Sequence, residues 1–149
     1  MTTSRTRRSL LLTAALLPLA AGPAAALAQA DAAGQKPRLL IHVSENEPAR
    51  WNMALGNARN AQDEVGGPDK IDIEIVSNGP SVLMLKGDSP LAARLADATK
   101  SGVKVLVCEN SMKAFKLARS EMLPGLGYVP AGIIELTRKQ QEGWAYVRP

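Results

Sequence analysis

At 149 residues, with 18 basic and 14 acidic side chains, the chain has single-domain length and a formal charge of +4. Three of the basic residues and none of the acids fall in the first thirty positions, so residues 31–149 carry only +1; with 3% aromatic content this excludes the basic surface and stacking platform of a nucleic-acid binder. A single cysteine excludes an internal disulfide, and one cysteine with one histidine excludes the usual zinc cluster.

The chain opens as an export signal. Arg5, Arg7 and Arg8 precede an apolar run from Leu10 to Leu17, and small residues at Ala26, Ala28 and Ala30 supply A-x-A exits. The run is too short for a membrane span of about 20 apolar residues, and Pro18 and Pro23 interrupt it. Thr6-Arg7-Arg8-Ser9-Leu10-Leu11 resembles the twin-arginine pattern, with an ordinary secretory signal as the alternative. No cysteine near the cleavage region provides for a lipid anchor. The expected organisation is a signal over residues 1–30, a polar tether over 31–38 and one domain over 39–149. That domain would work in the periplasm, with no membrane span once the signal is removed.

Beyond the tether, Leu39-Leu40-Ile41-His42-Val43 is a short apolar run without clean alternation, as expected for a strand covered on both faces. Trp51, Ala54, Leu55, Ala58 and Ala61 recur at helical spacing from Arg50 to Val65, where Gly66-Gly67-Pro68 stops the helix. Ile71-Asp72-Ile73-Glu74-Ile75-Val76 alternates, which predicts a second strand with one face more exposed than the first. After the turn Ser77-Asn78-Gly79-Pro80, residues Val82 to Leu85 form a short helix. Ser89 is placed to cap the next helix with Pro90 at its first position, and Gly102 ends it. Val103 to Val107 is the third strand, followed by Cys108 and a short helix from Ser111 to Ala118. Tyr128-Val129 is a fourth strand, Gly132 to Gln141 a helix stopped by Gly143, and Trp144 to Val147 an edge strand. Strands alternating with helices predict an α/β, three-layer fold: a mostly parallel sheet of about five strands joined by right-handed crossovers.

Ligands of open parallel sheets bind at the carboxyl ends of the strands. The loops leaving those ends hold Ser44 to Pro48, Asn78-Gly79, and Cys108 to Ser111. Cys108 lies where a strand meets a helix start, whose N–H groups favour a thiolate. Asn110 and Ser111 are placed to donate to its sulfur. Glu109 acts against a second anion, with Lys113 and Lys116 as possible offsets. The competing reading of Cys108 is a small buried hydrophobe. His42, near the end of the first strand and about one strand from Cys108, is either an activating partner for the thiol or a packed strand residue. Asn52 sits near the start of the first helix, facing either the site or solvent. Asn78 and Gly79 suit either a ligand contact or a turn with positive φ. The sequence contains no phosphate-binding P-loop, no G-x-G-x-x-G after a strand and no G-x-S-x-G elbow.

Five segments, in this order and spacing, carry a resemblance. They are Arg50-Trp51-Asn52-Met53-Ala54-Leu55-Gly56-Asn57, Asn78-Gly79-Pro80, Cys108-Glu109-Asn110-Ser111-Met112, Val129-Pro130-Ala131-Gly132, and Gly143-Trp144-Ala145-Tyr146-Val147-Arg148-Pro149. Together they resemble the small single-domain branch of the DsrE/DsrF-like family. The resemblance implies helices on both faces of the sheet and homo-oligomers, often trimers or hexamers. It also implies a cysteine after a central strand that carries sulfur as a persulfide, a position Cys108 matches. On that footing the chain is expected to be an exported sulfur carrier of sulfurtransferase type. His42 would assist, while Asn52, Asn78, Gly79, Asn110 and Ser111 would line the substrate. A protein donor and acceptor of sulfur are the implied partners, with no metal and no cofactor. Two departures stand out: relay members work inside the cell, whereas this chain begins with an export signal, and partner subunits of a relay leave no trace in one sequence. The alternative is a non-enzymatic oligomeric module for small-ligand binding or assembly.

Overall fold

The computed structural model describes residues 36–149; the expected export signal and the tether as far as residue 35 lie outside the described residues. Five strands form one sheet: β1 (Arg38–Val43), β2 (Asp72–Ser77), β3 (Lys104–Cys108), β4 (Gly127–Val129) and β5 (Ala145–Val147). The order is β4-β3-β2-β1-β5, and every neighbouring pair is parallel. The helices are α1 (Pro48–Glu64), α2 (Ala92–Lys100), α3 (Glu109–Ala114) and α4 (Gly132–Gln141). β1 starts at Arg38, inside the expected tether. Just before it, Lys36 pairs with Asp72 at 2.6 Å and the Pro37 carbonyl accepts the Asp72 N–H at 2.9 Å.

Alternation along the strands divides the core in two. On one face Ile41, Val43, Ile73, Ile75, Val105 and Val107 meet Trp51, Ala54, Leu55 and Ala58 of α1, Leu95 of α2 and Met112 of α3. Trp51 is fully buried there; a buried side chain of that size is worth about 3–5 kcal/mol against alanine. On the other face Leu40, Val76 and Leu106 meet Leu136 of α4 and Trp144. Among the described residues α4 is thus the one helix on the second face, and its first turn lies at the carboxyl end of the sheet. Gly102 closes α2 at φ +87°, where the Val103 N–H reaches the Ala98 carbonyl at 3.0 Å.

Several boundaries and one placement differ from the sequence expectation. β2 is the central strand, buried at every position but Asp72. Its polar alternation arises because Glu74, only 3% exposed, is neutralised inside the fold by Lys139 Nζ at 2.8 Å, with Lys104 Nζ at 3.6 Å. Ser89 does not cap the next helix. Its Oγ accepts the Leu91 N–H at 3.2 Å in a preceding turn, and α2 begins at Ala92. The helix expected over Ser111 to Ala118 is α3, which starts two residues earlier and stops at Ala114. Lys116 turns left-handed at φ 55°, and the Leu117 N–H reaches back to the Met112 carbonyl at 2.9 Å. Val82 to Leu85 belong to a longer 3-10 segment, Gly79–Leu85.

Candidate functional site

Cys108 is the last residue of β3 and the residue immediately before α3, as its place in the sequence indicated. Its side chain falls on the face covered by α4, where the first turn of that helix also converges. A Cβ built on Gly132 would lie 3.1 Å from Asn78 Cβ, 3.2 Å from Cys108 Cβ and 3.4 Å from Val76 Cγ1, so any side chain here would crowd the close approach that glycine leaves free. The approach brings the Gly132 N–H to the sulfur, beside the N–H groups of Ser111 and Asn110 and the Ser111 hydroxyl. Burial pushes the thiol up; these hydrogen bonds act against it, the Ser111 hydroxyl first, and the net result lies below the ordinary cysteine value. The Gly79 N–H donates to Ser111 Oγ at 2.8 Å, which leaves the Ser111 hydrogen for the sulfur. The Asn110 N–H is shared with the Pro130 carbonyl at 3.2 Å, and that bond ties α3 to the approach to α4.

The charge of Glu109, expected to oppose a thiolate, is taken up by Arg119, whose Nε lies 3.1 Å from Glu109 Oε1. The Arg119 guanidinium also sits 4.3 Å above the Tyr128 ring. Arg119 thus fills the role for which the sequence offered Lys113 and Lys116, both of which are exposed. The sulfur is therefore held in a polar setting, but Cys108 is only 5% exposed.

β2 lies between β1 and β3, so His42 is farther from Cys108 than its sequence position suggested. Asn78 fills the gap. His42 Nε2 is 2.9 Å from Asn78 Oδ1, and His42 Nδ1 is 2.8 Å from the Tyr146 hydroxyl. Gly79, at φ +57°, packs its α-carbon side toward the Ser44 carbonyl and provides the N–H that Ser111 accepts. Below this turn Ser81 Oγ meets the carbonyls of Val43 and Asn78 at 2.7 and 2.8 Å and Ser77 Oγ at 2.7 Å, a buried clamp joining β1 to β2. Asn52 stands apart: its Oδ1 accepts from Arg94 Nη1 of α2, and it makes no hydrogen bond to the Cys108 group. Residues Cys108, Ser111, Asn78, Gly79 and His42 are thus brought together, with Asn110 contributing its backbone.

Two participants escaped the sequence reading. Gly132 carried a signal, because a glycine at the first position of a helix implies close approach. Tyr146 carried none, since it is an ordinary aromatic on an edge strand.

The C-terminal residues strap the same end of the sheet. Arg148 donates to Ser44 Oγ at 2.7 Å and to Glu45 Oε1 at 2.6 Å. The bond from Arg148 holds the Glu45 carboxyl down at about 2 against the pull of partial burial. A groove of about 370 Å³ between α1 and α2 is lined by Leu55, Gln62, Arg94 and Ser101 among others. Its Gln62 is committed to Ser101, and none of its residues joins the Cys108 group. Among the described residues no three His, Cys, Asp or Glu side chains gather to hold a metal, and no helix is long and apolar enough to cross a membrane.

A sequence model of the DsrE/DsrF-like family matches residues 38–149. No curated protein matches the chain. Among solved structures, the protein of unknown function MTH1491 from Methanobacterium thermoautotrophicum is 29% identical with a TM-score of 0.71, over 76% of this chain and 99% of its own. The conserved protein of unknown function BT1422 from Bacteroides thetaiotaomicron is 19% identical with a TM-score of 0.62, over 75% and 94%. The ychN protein from E. coli is 12% identical with a TM-score of 0.62, over 77% and 100%. The last two are similar in fold alone.

Proposed function

The chain belongs to the DsrE/DsrF-like family, and on that premise we propose that it is an exported sulfur carrier in which Cys108 holds sulfur as a persulfide. The observation that carries the reading is the place of Cys108, at the carboxyl end of β3, one residue before α3 and against the first turn of α4; there the Ser111 hydroxyl and the Gly132, Ser111 and Asn110 N–H groups lower the thiol in spite of burial. A thiolate is the attacking species in sulfur exchange. Its electron pair forms a bond to the sulfane sulfur of a donor. The donor's S–S bond breaks, and the leaving sulfur keeps that electron pair and takes a proton from water. An acceptor thiolate later attacks the terminal sulfur, and Cys108 departs as the thiolate it was, with no net oxidation. At 5% exposure Cys108 is nearly covered, so access slows loading below what ionisation alone would set. The periplasm as its place of work follows from residues 1–30 acting as an export signal.

Incubation of the folded protein with inorganic polysulfide, followed by mass spectrometry, tests this. One added sulfur on Cys108, removed by a small thiol and absent in Cys108→Ser, is expected. An unmodified Cys108 in folded protein removes the carrier reading.

A specific observation favours the second reading, an oligomeric binding or assembly module. Ile133 and Ile134, in the first turn of α4 beside the site, are 60% and 65% exposed, adjacent apolar side chains that an assembly contact would cover. Under that reading Cys108→Ser leaves the oligomer mass by light scattering unchanged, and the thiol is incidental.

A further inference from the structure

Sheet register sets Asn78 beside Cys108: on the parallel strands β2 and β3 the residues just before them, Ser77 and Val107, are partners, and both Cβ atoms flank the Gly132 α-carbon. Between Asn78 and Gly79 lies one planar peptide group, whose carbonyl and N–H point in opposite directions. Each end is gripped by a serine. The Gly79 N–H donates to Ser111 Oγ at 2.8 Å. The Asn78 carbonyl accepts from Ser81 Oγ at 2.8 Å, and the same hydroxyl reaches the Val43 carbonyl at 2.7 Å. Neither role can be exchanged, because an amide N–H only donates and a carbonyl only accepts. Ser111 Oγ is therefore the acceptor at one end and Ser81 the donor at the other. With its hydrogen so engaged, Ser81 Oγ accepts from Ser77 Oγ at 2.7 Å, and both of these serines are fully buried. The grip matters because a glycine lets the peptide turn over. A half-turn of its plane changes only ψ of Asn78 and φ of Gly79, and Gly79, at φ +57°, accepts either sign. Turned over, the peptide would show Ser111 a carbonyl in place of an N–H. The Ser111 hydroxyl would then give its hydrogen to that carbonyl and not to the Cys108 sulfur it now meets.

We propose that Ser81 is a positioning residue: by holding the Asn78 carbonyl, its buried hydroxyl keeps the Gly79 N–H on Ser111 and so leaves the Ser111 hydrogen for the Cys108 sulfur. The inference rests on the carrier reading only in taking Cys108 as the reactive atom. It adds to that reading the residue that decides, from the far side of one peptide plane, how much of the sulfur is ionised. A donated hydrogen favours the thiolate over the thiol, so every molecule with the peptide turned over holds a less nucleophilic sulfur.

Alkylation of Cys108 by iodoacetamide as a function of pH reads this with no sulfur donor present. Ser111→Ala should move the pH of half-maximal rate up by about one unit, the worth of one hydrogen bond to a charged group. Ser81→Ala removes no group that touches the sulfur, yet it should move that pH in the same direction. Adding it to Ser111→Ala should move it no further. Ser77→Ala removes an equally buried hydroxyl that does not touch the peptide; it should lower the melting temperature and leave the alkylation profile in place. The titratable groups on the elements around the sulfur are the same in all these variants: His42 of β1, Glu109 of α3 with Arg119, and Glu135 of α4 with Arg138 and Lys139. If Ser81→Ala does not fold, the Gly79 amide carries the test. Its exchange with deuterium should be about tenfold faster in Ser111→Ala than in wild type, again the worth of one hydrogen bond, and equal exchange overturns the proposal. A Ser81→Ala profile identical to wild type, or a shift additive with that of Ser111→Ala, overturns it as well. Wild-type protein that takes up no sulfur from polysulfide, while Ser81→Ala shifts the profile, removes the carrier reading and keeps this inference.

Discussion

Glu45 and Arg148 illustrate how a single contact couples the chain end to pH. The Glu45 carboxyl lies at about 2 in the fold against an ordinary 4.5, because Arg148 donates to it while burial acts the other way and Ser44 helps. As pH falls the unfolded chain takes up its proton first. The contact therefore stabilises the fold in full above about 4.5 and ceases to do so as pH drops through about 2. Arg148 is half exposed and Glu45 one-third exposed, so solvent screening limits the effect to at most about 1 kcal/mol. Arg148→Ala should accordingly be slightly less stable than wild type at pH 7 in urea, with the gap closing between pH 4 and pH 2. In NMR titration, Glu45 in that variant should return toward ordinary carboxylate behaviour.

At the scale of elements, the first turn of α4 decides whether the site exists. Two effects oppose each other at Gly132. Alanine in a helix is favoured over glycine by about 0.5–1 kcal/mol. Against that, the added methyl would press on Asn78, Cys108 and Val76 at 3.1 to 3.4 Å, and Val76 is fully buried with nowhere to go. Overpacking of this kind costs about 1–3 kcal/mol, so the crowding wins. Gly132→Ala should lose about 1–2 kcal/mol in urea unfolding, and it should raise the pH at which Cys108 is half alkylated, because the retreating helix takes its N–H away from the sulfur. A gain in stability with unchanged alkylation would mean that α4 does not need this glycine.

For the molecule as a whole, the sheet is tied to α4 on its second face by a buried ion pair. Glu74 of the central strand meets Lys139 of α4 at 2.8 Å, and the ammonium also lies 4.3 Å from the Trp144 ring centroid. The second carboxylate oxygen and the Trp144 N–H are both buried without partners, so the pair is far from fully satisfied. Removing Lys139 leaves the buried Glu74 with only the exposed Lys104 ammonium at 3.6 Å, whereas removing both partners of the buried pair need cost little. Lys139→Met should therefore lose about 3–5 kcal/mol in urea, while Glu74→Leu with Lys139→Met should come within about 1 kcal/mol of wild type or exceed it. Equal losses in the single and double variants would assign the pair a net stabilising role.

Apolar runs at β1 and β3, helical spacing in α1, and glycines after α1, α2 and α4 are local signals, and local signals were enough to read the alternation of strands and helices and the position of Cys108 at a strand end. The central place of β2 was not legible, because a carboxylate in a strand reads as exposed unless the lysine that neutralises it is known, and Lys139 stands 65 residues away. Nor was the end of α3, since nothing marks a lysine as the residue that turns left-handed. The site itself depends on contacts of long sequence separation: Gly132 against Cys108 and Asn78, Arg119 against Glu109, and Tyr146 against His42 across 104 positions. Residue types name the chemistry that each side chain can perform; only the packing of α4 onto the sheet decides which of them stand within hydrogen-bonding reach of one sulfur.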